Sequence, residues 1–332
     1  MLNEDFFTKI WYGKSKLYYL LLPASWAFCL VRYFRYKMYL FGWIKSSKIP
    51  KPVIVVGNIS AGGTGKTMLI IELVNQLRQA GFKPGVVSRG YHGKSPIWPL
   101  SVTKNSDPIL VGDEPVLISK KTSCPVVVSP SRVEACETLL NRYDCDVILS
   151  DDGLQHYSLQ RDIEIAVIDG QRQYGNGHCL PAGPLREPKS RLKFVDRIVV
   201  KNADLDVGVK MSIELGDLYD IENPEKTTSL STFKGKKVHA VAGIGNPDGF
   251  IEEIQSEGIE VVEHCYEDHH DYRQRDFKFN DDLPVIVTEK DAVKIKSFHP
   301  AGVWVLPVRP VLPKEFYDDI IACLKLLPKN HA

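Results

Sequence analysis

Residues 58–68 read NISAGGTGKTM. A lysine and a threonine closing a glycine run are the residue types that hold a nucleoside triphosphate. Backbone N–H groups cradle phosphate oxygens, the lysine reaches the β/γ-phosphates, and the threonine hydroxyl holds Mg²⁺. Here Gly62, Gly63, Thr64 and Gly65 would form the cradle, with Lys66 and Thr67 in the other two roles. The usual spacing GxxxxGK[ST] has Ser60 where its first glycine belongs, so Gly62 and Gly63 must supply the flexibility. The flanks fit. VIVVG at 53–57 reads as a buried strand, and 68–79 has apolar residues at helical spacing, so the glycine run joins a strand to a helix.

Such a loop needs a carboxylate on a neighbouring strand for the metal ion. Residues 146–153, DVILSDDG, offer a short apolar run followed by Asp151 and Asp152. One of the two, with Asp151 the first choice, would bind Mg²⁺ directly or through water, and the other would orient the metal shell or the acceptor. An ordinary Asp-Gly turn is the bland alternative.

Transfer to an alcohol also needs a proton acceptor, and histidine is suited to it near neutral pH. Read from the residues alone, His269 in EDHHDY suits a surface turn, Asp113 in GDEP a helix N-cap, Arg132 an exposed helix start and Arg89 a salt-bridged loop position.

Several phrases occur in order: NISAGGTGKT from 58, VSRGY from 87, GDEP from 112, SDDGLQH from 150, LPAGPLREP from 180, DHH from 268 and VTEKDA from 287. Together they resemble the tetraacyldisaccharide 4'-kinase family, the lipid A 4'-kinases of Gram-negative bacteria, over about residues 15–325. The resemblance implies transfer of the γ-phosphate of ATP to the 4'-hydroxyl of an acylated disaccharide 1-phosphate lipid. It implies ATP and Mg²⁺ as cofactors, and a peripheral place on the cytoplasmic face of the inner membrane. It gives His269 as the base, with His270 one position away as the alternative, and Asp113 as the partner acid. Lys66 and Asp152 join the catalytic group, Arg132 faces phosphate, and Glu187 lies near nucleotide or metal. Asn58, Arg89 and Gln155 would meet the acceptor.

These residues need an α/β frame. Strand patterns at 53–57, 84–88, 125–128, 146–150, 164–168 and 197–201 alternate with helical ones, which predicts a P-loop NTPase-like parallel sheet over 49–205. Residues 206–235 turn polar and read as a linker or hairpin. A smaller C-terminal α/β domain follows over 236–328, with strands near 238–242, 259–263, 284–288 and 303–307. Its GIG at 243–245 lacks the third glycine of a dinucleotide fingerprint and reads as a tight strand-to-helix turn. His269 then sits in the smaller domain and Asp113 in the larger, so a closing inter-domain cleft would bring them together.

The N-terminus adds a location. Residues 1–51 carry nine basic side chains against two acidic ones, a net of +7 in a chain whose total is +1, which leaves −6 elsewhere. The uncharged run at 17–31, LYYLLLPASWAFCLV, spans 15 residues, short of the roughly 20 that cross a bilayer. With its interleaved Trp and Tyr, segment 1–48 reads as a helix or helical pair lying in the membrane interface. Total charge argues against nucleic acid, and nothing points to an obligate protein partner. The seven cysteines form no CxxC pair or zinc spacing, as expected of reduced thiols. The rival reading is a membrane-recruited P-loop ATPase switch with no acceptor; Ala61, where such switches carry lysine, argues against it.

Overall fold

The computed structural model describes residues 4–13, 15–203, 205–295 and 302–327. Parts of three expected segments lie outside the described residues: 1–3 and 14 of segment 1–48, 204 of segment 49–205, and 296–301 and 328 of segment 236–328.

Among the described residues the fold is α/β, with two sheets. The first holds β1 (Val53–Gly57), β2 (Pro84–Ser88), β3 (Leu100–Val102), β4 (Val126–Val128), β5 (Val147–Asp151), β6 (Ile163–Asp169), β7 (Arg197–Lys201) and β8 (Val209–Leu215). The second holds β9 (Leu218–Asp220), β10 (Thr227–Thr228), β11 (Lys237–Ala242), β12 (Glu260–Cys265), β13 (Val285–Thr288) and β14 (Val303–Leu306). β15 (Val308–Val311) returns to the first sheet, whose order is β15-β8-β7-β6-β1-β5-β2-β4-β3. β1 lies mid-sheet, parallel to β5 and β6. Its VIVVG run is buried throughout, as parallel strands covered on both faces must be. The second sheet runs β10-β9-β14-β13-β11-β12.

The helices are α1 (Glu4–Trp11), α2 (Tyr18–Leu40), α3 (Lys66–Gln79), α4 (Pro108–Val111), α5 (Asp113–Thr122), α6 (Arg132–Arg142), α7 (Pro247–Ser256), α8 (Glu289–Ile295) and α9 (Lys314–Leu326). On α3, Leu69, Ile70, Leu73, Val74 and Leu77 bury one face against β-strand side chains such as Ile54 and Leu149. That three-and-four spacing is what fixes the direction of the phosphate loop that precedes the helix.

The sheets divide the chain differently from the sequence expectation. The 206–235 stretch is not a free linker: β8 extends the first sheet beside β7, while β9 and β10 pair antiparallel in the second, as the hairpin alternative has it. Nor does the second unit run on to 328, because β15 pairs with β8 and α9 packs into the first core. β9 and β10 are three and two residues long and β8 is flanked by polar turns, so average composition over the stretch carries little strand signal. The two crossings, Gly216 and Pro307, are joined by a backbone hydrogen bond of 2.9 Å.

Among the described residues no helix is long and apolar enough to cross a membrane. α2 has 23 residues but is interrupted by Pro23 and by Arg32, Arg35 and Lys37, and only Ser25 on it is fully buried. Leu20, Trp26, Leu30, Val31, Tyr33 and Phe34 stand exposed along it.

Candidate active site

The carboxyl ends of β1, β2 and β5 converge, the place where open α/β sheets build their sites. Register aligns Val56 of β1 with Asp151 of β5, which brings the phosphate loop and the acidic pair side by side. Ser60, the apparent defect in the loop pattern, forms an antiparallel bridge with Leu185. Ala61 N donates to Pro184 O at 2.7 Å, and Arg186 N to Ile59 O at 2.7 Å. The LPAGPLREP segment is therefore zipped to the loop, and an extended serine serves where a glycine is usual. Gly65 caps α3 at φ +90°, a left-handed position that a side chain would strain.

Lys66 Nζ lies 3.7 Å from Asp152 Oδ1, and Arg186 Nη1 pairs with Asp152 Oδ2 at 2.7 Å. The crowded setting of Asp152 disfavours its charge, but Lys66 and Arg186 outweigh this and hold it below the usual carboxylate range. Asp151 is different. Burial, reinforced by Glu114 and Asp152, pushes it up to about 7. Its Oδ2 accepts from Ser88 Oγ at 3.0 Å, whereas Oδ1 is buried with no hydrogen-bond partner, as are Asp152 Oδ1 and Asn58 Oδ1. Orphaned oxygens on Asp151 and Asp152 beside Lys66 fit a divalent cation shared with phosphate oxygens. No group of three or more His, Cys, Asp or Glu able to hold a metal ion by itself occurs among the described residues.

Arg132 is 1% exposed, so it is not the solvent-facing helix start that sequence alone allowed. Ser131 caps α6, and Arg132 turns inward, donating from Nη2 to Asp151 O at 2.6 Å. Burial lowers its pKa to about 10, still cationic at neutral pH.

The expected inter-domain pair is in contact. His269 Nδ1 lies 3.0 Å from both Asp113 oxygens. Asp113 opens α5, and its side-chain Oδ1 accepts from Glu114 N at 2.8 Å. Burial works against its charge, but Lys290, the His269 bond and Lys294 hold Asp113 well below the usual range. An ionised carboxylate only accepts, so Nδ1 of His269 carries the proton and Nε2 is left as the basic nitrogen. His269 itself has φ 61°, and Asp152 φ 48°; left-handed non-glycine residues of this kind concentrate at functional sites. His270 points elsewhere, to Asp276 at 3.2 Å.

Other expected residues fall on the rim. Gln155 Nε2 donates to Asn58 O at 2.9 Å and to Glu187 Oε2 at 3.2 Å. Asn58 Nδ2 is turned inward to Thr64 Oγ1 at 3.3 Å. Glu187 is enclosed by Arg32 of α2, at 2.7 Å, and by Tyr157 and Arg191. Arg89 is exposed beside the end of β2, with none of the ion pairs found among the described residues. A cavity of about 670 Å³ opens from Gly63, Gly65 and Thr67 towards Ile213, Phe250 and Leu306.

Sequence reasoning missed a ring of charge around the pair. Lys290 Nζ bonds Glu114 Oε1 at 3.1 Å and Asp268 Oδ1 at 3.2 Å, and Lys294 Nζ sits 3.9 Å from Asp113. The signal lay in VTEKDAVK, where lysines four apart share one helix face.

A family model described as tetraacyldisaccharide-1-P 4'-kinase matches residues 17–325. The chain belongs to the tetraacyldisaccharide 4'-kinase family. A family member from Hahella chejuensis is 46% identical over 328 residues, 96% of each chain. Another, from Coxiella burnetii strain RSA 331, is 47% identical over 312 residues, 94% of this chain and 93% of its own. In three dimensions, LpxK from Aquifex aeolicus, crystallised with ATP, aligns with a TM-score of 0.76 at 27% identity, covering 93% of this chain and 99% of that one. Membership in the tetraacyldisaccharide 4'-kinase family makes this chain an ATP-dependent phosphotransferase with an alcohol acceptor, acting in lipid A biosynthesis, and disfavours the acceptor-free ATPase switch.

Proposed function

We propose that the chain transfers the γ-phosphate of ATP to the 4'-hydroxyl of tetraacyldisaccharide 1-phosphate, with the acceptor oxygen deprotonated by His269. The observation that carries this reading is the Asp113–His269 contact, made across the two α/β units and beside the phosphate loop. The acceptor oxygen bonds to the γ-phosphorus, the bond from that phosphorus to the β–γ bridging oxygen breaks, and ADP leaves. The hydroxyl proton goes to Nε2 of His269, whose imidazolium the Asp113 carboxylate stabilises.

Gly62, Gly63, Thr64, Gly65 and Lys66 hold the triphosphate, and the cavity beside Thr67 takes the nucleoside. Lys66 and Arg132 draw charge from the phosphoryl oxygens. Thr67, Asp151 and Asp152 would hold Mg²⁺, which when bound neutralises charge on the β- and γ-phosphates. Gln155 and Arg89 line the way to the acceptor, and the buried Asn58 holds Gln155 and Thr64 in place behind them. Glu187 acts through Gln155 and the loop and reaches no open space of its own. The exposed aromatic and basic side chains of α2 support peripheral attachment to the cytoplasmic face of the inner membrane through residues 1–48.

ATP labelled on the γ-phosphate, incubated with the disaccharide lipid, tests the reading. Label appears in the lipid with ADP in equal amount. Release of free phosphate alone, at the same rate without lipid, sinks it.

A further inference from the structure

Arg172 has no part in the chemistry above, yet its side chain joins three parts of the molecule. It sits in the turn after β6, where Asp169 Oδ1 accepts from the backbone N–H groups of Gln171 at 3.0 Å and Arg172 at 2.9 Å. Its Nη1 donates to Gly245 O, in the second unit, at 2.6 Å. Its guanidinium also lies 5.4 Å from the centre of the Tyr12 ring, within reach of a cation–π contact. Tyr12 follows α1, which is itself docked: Trp11 Nε1 donates to Pro181 O at 2.9 Å, and Asn176 N donates to Trp11 O at 2.8 Å.

Gly245 is the informative partner. A Cβ at this position would stand 2.7 Å from Gly63 N in the phosphate loop and 3.1 Å from Asp268 Oδ2. The 243–245 turn is thus wedged between the phosphate loop and the segment carrying His269, whose backbone N–H donates to Gly243 O at 3.2 Å.

We propose that Arg172 is a positioning residue for phosphoryl transfer. It pins the 243–245 turn against the phosphate loop, and the Tyr12 ring makes that pin depend on the docked N-terminal segment. A guanidinium can donate along its edge while a ring covers its face; an ammonium can donate but offers no plane to stack. The proposal rests on the reading of His269 as base, because moving this turn moves His269 relative to the triphosphate. A displacement of about 1 Å at such a site costs up to about 10²-fold.

The test uses the full chain with ATP and the disaccharide lipid. Arg172→Ala is expected to lower kcat about 10–100-fold, to change the KM for ATP by less than about three-fold, and to leave the melting midpoint in place. Arg172→Lys recovers part of the loss, and Tyr12→Leu gives a smaller loss. Gly245→Ala, which keeps Arg172 but forces the turn off the loop, reproduces the fall in kcat. Adding Arg172→Ala to His269→Ala gives no further loss, since no base is left to position. Unchanged kcat in Arg172→Ala, or losses that multiply fully in the double variant, overturns the proposal. Normal turnover in His269→Ala alone fails the base assignment instead, and the kcat values of Arg172→Ala and Gly245→Ala then decide the pin by themselves.

Discussion

Nδ1 of His269 stands 3.0 Å from both carboxylate oxygens of Asp113, although 156 positions separate them in the chain. The symmetry of that contact leaves one tautomer, with the other ring nitrogen, Nε2, 3.7 Å from Asp268 Oδ2. It also makes the base depend on two elements from different sheets staying together.

His269→Ala should lower turnover about 10²–10⁴-fold while leaving ATP affinity nearly unchanged. Asp113→Asn keeps the shape but removes the charge that stabilises the imidazolium, so it should fall in the same range. Steady-state kinetics with direct nucleotide-binding measurements distinguish the cases; turnover near that of the native chain would remove His269 from the chemistry.

Asp113 also marks the stability of the fold. Its folded-state pKa is depressed, so its contribution is fully present above the unfolded value of about 4 and is lost as pH falls towards the lower folded value. Melting midpoints measured from pH 6 to pH 3 should therefore drop more steeply for the native chain than for Asp113→Asn. A chain of this size moves by about 1–2 °C for each kcal/mol. Parallel curves would show that the carboxylate is not held by its neighbours.

Arg32 on α2 pairs with the nearly buried Glu187 at 2.7 Å. Arg32→Ala should destabilise by about 1–3 kcal/mol, because a desolvated carboxylate loses a charged partner. Glu187→Gln in the same chain should return part of that. Chemical denaturation of both singles and the double gives a coupling of about 0.5–3 kcal/mol; strict additivity would mean that α2 is not stitched to the site edge.

Binding to anionic vesicles should weaken when Arg35 and Lys37 are both changed to glutamate, and it should weaken for the native chain as salt rises. Co-sedimentation reads both. Equal binding to neutral and anionic vesicles would point to the exposed aromatic rings alone.

Much of the site was legible because its chemistry clusters in sequence. The phosphate loop lies between a buried strand and an apolar-faced helix, and the SDDG turn ends another strand, so local pattern located both. Ser60 was not legible: its extended state depends on Leu185, far along the chain. Arg132 could not be separated from a surface arginine, since a helix start reads the same whether its face is covered or open. Strands β9 and β10 are only three and two residues long, and β8 alternates Val209, Met211, Ile213 and Leu215 inside a polar stretch, so composition hid all three and with them the true path between the sheets. Lys290 and Lys294 needed the packing of α8 against α5 before their charges had an object.

The route through the second sheet sets an order of assembly. The outer side of α3 is completed by β15 and α9, where Leu312 between them and Phe316, Tyr317 and Ile320 of α9 share a core with Leu69, Ile70 and Leu73. These closing elements leave the ribosome after both sheets have otherwise been made, whereas α2 leaves it before either. The nascent chain therefore exposes α2 long before its phosphate-loop helix is fully packed, and catalytic competence is the last property the chain acquires.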